Sequence, residues 1–250
     1  MMVGRSDGRT VGRLRHALGA LGVIALSVGP TVRQSDAQVG HDAGSSPYRD
    51  ITLLPAIGVY AGHLSGDRGR VDAGPSNANT IGLRYELPSG RSMLFQFNVA
   101  YLMGDRFIIN PFADSSSPQR KTGPYESNLV LTEIVLHLRL TGNKSWHRIG
   151  PYAGLGLGVT FDVHSPGDTT KSGYKFGTKV GLTAAGGIRW YATRHLFLNP
   201  EARLEWWKLK YPSSFHAQLS PDGSRVVPIT QNLTDWVTHP WMSLGVGWTF

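Results

Sequence analysis

Residues 242–250 read MSLGVGWTF. Met242, Leu244, Val246, Trp248 and Phe250 alternate strictly with Ser243, Gly245, Gly247 and Thr249, a period of two that puts every apolar side chain on one face of a β-strand. The same period recurs backwards along the chain. Leu196, Leu198, Ala202, Leu204 and Trp206 oppose Glu201, Arg203 and Glu205, and Phe176, Val180, Leu182, Ile188 and Trp190 oppose Lys175, Lys179 and Arg189. Leu155, Leu157, Val159 and Phe161 face away from Gly154, Gly156, Gly158, Thr160 and Asp162, as do Val130, Ile134, Leu136, Leu138 and Leu140 from Glu133, His137 and Arg139. Further rows run through Met93, Phe95, Phe97, Val99, Tyr101 and Met103, and through Ile81, Leu83, Tyr85 and Leu87. With ITLLPAIGVYAGH at 51–63 and the terminal 236–250, the pattern predicts eight strands.

The connections alternate as well. Those at 88–90, 141–148 and 192–195 are short, whereas 64–77, 104–125, 164–173 and 212–234 are longer and rich in Gly, Pro, Ser, Asp and Asn. The apolar rows carry almost no charge over the roughly nine to eleven residues that a tilted transmembrane strand needs. Charges therefore point inward, opposite to a water-soluble barrel with an apolar cup. The expected fold is all-β, an eight-stranded antiparallel up-and-down transmembrane β-barrel over 51–250. Aromatic residues near the strand ends form two expected girdles. Tyr60, Tyr101, Phe107, Phe161, Tyr174, Trp207, Tyr211 and Trp236 lie toward the long loops, and Trp146, Trp190, Tyr191, Phe197, Trp248 and Phe250 toward the turns.

The 250 residues begin with Arg5, Arg9, Arg13 and Arg15, the apolar run ALGALGVIALSVG at 17–29, and Ser35-Asp36-Ala37. This is the pattern of an export signal with a small-x-small cleavage site, and the apolar run is shorter than the roughly 20 residues that span a bilayer. Residues 1–37 are read as a Sec-type signal peptide and 38–50 as a short periplasmic lead. Removing five arginines and two aspartates with the signal lowers the formal charge from +8 to +5. With mixed charges in the loops and no basic stripe, nucleic acid is not an expected partner.

Eight strands, an export signal and a final Phe250 with Trp248 two residues before it resemble the small bacterial outer-membrane barrels, of the OmpA transmembrane domain, OmpX and OmpW kind. The likeness covers about 45–250 and rests on architecture. It implies a bacterial outer-membrane location, contact with outer-membrane lipid and lipopolysaccharide, and Trp248 and Phe250 as an assembly signal read by the barrel-assembly machinery. That family includes anchors, adhesins, small pores and lipid-modifying enzymes, so fold leaves function open.

Eight strands leave a lumen just wide enough for side chains to fill. Arg84, Glu86, Glu133, Arg139, Lys179, Arg189, Glu201, Arg203 and Glu205 are the expected lumen charge cluster, its signs nearly balanced as in a paired plug. Inward Gly154, Gly156, Gly158, Gly177, Gly181, Gly187, Gly245 and Gly247 leave room for long side chains to cross or, alternatively, for a narrow solute channel. In loop 104–125, Phe107, Ile108, Ile109 and Phe112 are the candidate contacts for an extracellular ligand, or else fold onto the rim. Lipid A hydrolysis would need a histidine within reach of a nucleophilic hydroxyl. His164-Ser165 beside Asp162, and His239 four residues before Ser243, are the nearest approaches. No catalytic residue, metal ligand or cofactor is assigned; with no cysteine and scattered histidines, a thiolate or His-cluster metal site is not expected. A structural or surface-interaction role is the leading expectation.

Overall fold

The computed structural model describes residues 46–250; the expected signal peptide and residues 38–45 of the expected lead lie outside them. Ten strands follow one another: β1 Tyr48–Asp50, β2 Ala56–Leu64, β3 Ser76–Ser89, β4 Met93–Ile109, β5 Lys121–Arg139, β6 Lys144–Trp146, β7 Ile149–His164, β8 Lys179–Tyr191, β9 Leu196–Lys210 and β10 Thr234–Thr249. One four-residue helix, α1 Ser214–Ala217, interrupts the last long loop. Eight strands close a ring in the order β7-β5-β4-β3-β2-β10-β9-β8 and back to β7, every neighbour antiparallel. The short β1 and β6 pair with each other below the ring, so the end of the expected lead is tied to the β5–β7 turn.

Alternation sets the two faces. Outward apolar residues are unusually bare, Met242 at 73% and Leu155 at 72% exposure. A belt of such side chains on every long strand would be an aggregation surface in water and costs nothing against lipid chains. Lipid also forbids unpaired strand edges, and the β2–β10 seam, from Ala56↔Thr249 to Leu64↔Trp241, removes the last one. The eight-stranded transmembrane barrel expected from the pattern is the fold observed.

Three expectations need correction. Tyr60, Tyr174, Trp207, Tyr211 and Phe197 are not girdle residues; all five are buried inside the barrel or beneath its loops. The girdles consist of outward Tyr101, Phe161 and Trp236 on the loop side, and of Trp146, Trp190, Trp248 and Phe250 on the turn side. Phe176 and Gly177 precede β8 rather than belonging to it, and Phe176 turns inward onto Trp207. Finally, β4 and β5 extend into the expected loop 104–125, leaving only 110–120 as connection.

Candidate functional site

The interior has two layers. The lower, toward the turns, is polar. Arg203 bridges Glu133 and Glu201, its Nε 2.5 Å from Glu201 Oε1, and Arg84 reaches the same Glu201 oxygen at 3.4 Å. Arg84 also donates to Asn199 Oδ1. Nearer the turns, Arg189 donates to both oxygens of Glu86 at 2.7 Å. Thr183 Oγ on β8 lies 2.7 Å from Glu133 on β5 and 2.8 Å from Glu205 on β9, within donating distance of either carboxylate. Charge pairs desolvated in this way are held by geometry, and removal of either partner strands the other.

Eight of the nine residues expected in the charge cluster are buried in this layer: Arg84, Glu86, Glu133, Arg139, Arg189, Glu201, Arg203 and Glu205. Lys179 is the exception. It stands half-buried at the loop-side start of β8, its Nζ 5.3 Å from the Phe176 ring, and makes no ion pair within the layer. Arg139 is buried but has no carboxylate partner among the described residues; its guanidinium lies 5.9 Å from the Tyr191 ring.

Rings occupy the glycine side of the lumen. A Cβ at Gly154 would collide with the His137 imidazole, one at Gly247 with the Phe197 ring, and one at Gly187 with the Tyr152 hydroxyl. Imidazole and phenol then stack, His137 on Tyr152 at 4.6 Å, while Arg189 sits 4.3 Å from the Phe197 ring. The bare backbone thus makes room for flat rings on which the cations rest, beyond the reach of Arg and Glu across the lumen.

Tyr60 and Trp241 mark the boundary. Arg84 lies 4.4 Å from the Tyr60 ring and Arg203 5.1 Å from the Trp241 ring, so the topmost cations of the polar layer face aromatic surface. Above them comes an apolar core of Leu64, Leu102, Leu131, Trp207 and Leu209 from the strands, completed from the loops by Ala73, Tyr211, Phe215 and Val227. Sequence reasoning missed this layer. Its signal was present in the inward parity of Trp207, Leu209 and Tyr211 in WWKLKY.

The loops are clasped over this core. Arg68 holds Asp105 at 2.5 Å, Lys121 holds Asp72 at 2.6 Å, and Arg70 pairs with Asp235 at 3.6 Å. Loop 110–120 is joined to loop 211–233 where Ser115 Oγ donates to Asp222 at 2.7 Å and Arg120 donates to Ser220 Oγ at 2.7 Å. Donation from Ser224, through its backbone N–H, and from Ser115, through hydroxyl and backbone N–H, holds the Asp222 carboxyl well below the usual carboxylate range. Within loop 165–178, burial alone would raise Asp168, but donation from Gly173, Thr170 and Ser172 outweighs it and lowers that carboxyl.

Of the loop contact candidates, Ile108 and Ile109 are corrected: both are buried, because a register shift between Arg106 and Ile108 turns two consecutive residues inward. Phe107 is half-buried between Arg68 at 4.9 Å and Lys121 at 4.1 Å. Phe112 is exposed at 46%, and is joined on the loop surface by Leu219 and Ile229, which sequence reasoning did not single out. Trp248 is exposed on the turn side, stacked 5.4 Å from His195, and Phe250 beyond it is exposed as well.

Neither histidine–serine pair has the geometry of a nucleophile and its base. Ser165 Oγ donates to Asp162 at 2.7 Å and His164 is exposed. His239 is fully buried, stacked 4.0 Å from Trp207, and its ring makes no hydrogen bond to Ser243.

No protein-family model matches the chain, and no curated protein matches it. Among solved structures, it is similar to the outer membrane protein OprG from Pseudomonas aeruginosa, with 15% identity over 80% of this chain and 98% of that one and a TM-score of 0.50. Neisserial surface protein A, NspA, is 13% identical over 82% of this chain and 98% of that one, at a TM-score of 0.46. The attachment invasion locus protein Ail of Yersinia pestis is 12% identical over 79% and 97%, at 0.35. The likeness to OprG shows the fold, which is that of a small bacterial outer-membrane β-barrel.

Proposed function

We propose that this chain is a non-conducting, non-enzymatic outer-membrane barrel that acts through its loop face, as a structural or surface-interaction protein. One observation carries the reading: two filled layers, the ion-paired lower lumen and the apolar core above it, lie in series under clasped loops. A solute path would have to cross both. The loop face instead offers Phe112, Leu219 and Ile229 as exposed apolar contacts for an extracellular ligand, set among paired charges. In the same reading residues 1–37 direct export, Trp248 and Phe250 are presented to the barrel-assembly machinery, and the outward belt contacts outer-membrane lipid and lipopolysaccharide.

Planar-bilayer conductance of the refolded barrel tests this, with Arg203→Ala and Glu201→Ala beside the wild type. The expected result is silence in all three, because the apolar layer stays closed when the polar one is cut. Steady wild-type conductance that changes in the variants would overturn the reading in favour of a narrow channel for small solutes.

A further inference from the structure

Residues 206–211, WWKLKY, split by parity. Trp207, Leu209 and Tyr211 are buried in the upper core, which leaves Trp206, Lys208 and Lys210 on the outer face of β9. Below them on that face, Leu204 continues the apolar belt. Lys208 lies opposite Trp236 across the β9–β10 ladder, and Lys210 opposite Thr234. A lysine on the lipid side costs about 2–4 kcal/mol at the bilayer midplane and close to nothing at the interface. Two successive outward lysines above Trp206, the lower of them level with Trp236, therefore mark the level of the headgroups.

Three of the other rim cations are held in ion pairs. Arg68, Arg70 and Lys121 each have a carboxylate partner. Among the described residues, Lys208 and Lys210 have none. Across the ring, β4 and β5 carry both signs near the rim, Asp105 and Glu126 together with Arg106 and Lys121.

We infer that Lys208 and Lys210, flanked by Trp206 and Trp236, form a docking surface for the phosphorylated headgroup of an outer-leaflet glycolipid. The chemistry fits: mobile point-charge ammoniums suit a phosphate whose position varies, and indole rings suit the ester region just beneath it. The inference rests on the orientation in the proposed function, loops outward and belt in lipid. It does not depend on whether the lumen is closed.

The test is binding of bis-phosphorylated lipid A to the refolded chain in phosphatidylcholine nanodiscs, against its dephosphorylated form. Lys208→Gln/Lys210→Gln is compared with wild type, and Lys144→Gln, an exposed lysine at the turn end, serves as control. Each lysine near an anionic surface contributes about fivefold, so the double variant should bind about thirtyfold more weakly while the control binds like wild type. Equal binding by the double variant, equal binding of the dephosphorylated lipid, or full displacement by millimolar inorganic phosphate would overturn the proposal. A conducting lumen in the separate bilayer experiment would overturn the non-conducting reading and leave this one standing.

Discussion

Below Tyr60 the lumen is held by Arg84, Arg189, Arg203 and their carboxylates; above it, by Trp207, Leu209, Tyr211, Phe215 and Val227. Both layers fill the same cylinder of strands. The lower one is built by strands alone, through directional bonds that each need a particular partner. The upper one is built by strands and loops together, through contacts that any ring or aliphatic group of suitable volume can make. Closure of the lower layer is thus fragile to single deletions, while that of the upper layer is tolerant of substitution and dependent on loop position.

The sharpest way to break this contrast is Arg203→Ala. It leaves Glu133 and Glu201 buried without their shared cation and should cost about 3–5 kcal/mol, read from urea unfolding in lipid vesicles. Arg203→Lys should recover little of it, because an ammonium cannot span both carboxylates as the guanidinium fork does. In the upper layer Leu209→Ala should cost less, about 2–3 kcal/mol, and Leu209→Met should restore most of that. If Met fails and Lys succeeds, the distinction between the layers is wrong.

The smallest effect lies in the clasp. Asp222→Asn weakens acceptance from Ser115 and Ser224 and should leave the global unfolding midpoint at the wild-type value while raising protease cleavage in 211–233. Acid gives the sign independently. Because the folded Asp222 carboxyl lies below its unfolded value, its contribution is complete above the ordinary aspartate range and fades as pH falls through the lower, folded value. Hydrogen exchange in that loop should stay protected at pH 5 and rise only in stronger acid. Loosening between pH 7 and 5 would exclude Asp222 as the clasp.

Alternation was enough to read the eight strands, their inward charges and the lipid-facing rows, because a one-residue slip would put every Arg and Glu into hydrocarbon. The upper layer was illegible for a related reason. Tyr60, Trp207 and Tyr211 have the same composition whether they line a girdle or a core, and only their parity within a strand separates the two. Parity in turn fails at bulges, such as those beside Ile108 and Leu129, where two neighbours face the same way. Lys179 shared the parity of the charge cluster but stood too high on β8 to meet it, and height along a tilted strand is not written in a period of two. The loop-borne part of the core, Phe215 and Val227, depends on how chains fold back after leaving the sheet.

The seam between β2 and β10 carries a mechanical consequence. It joins Ala56 to Thr249, nearly opposite ends of the described chain, along a strand of nine residues, whereas β10 is bonded on its other side to a strand of fifteen. Hydrogen bonds in a ladder share load in parallel, so a barrel pulled sideways by a crowded membrane parts first where the ladder is shortest. The seam is also the last joint to form during synthesis. Three ladders share that shortest length of nine pairs, the seam, β2–β3 and β8–β9, so the wall is weakest on both sides of β2 and beside β8.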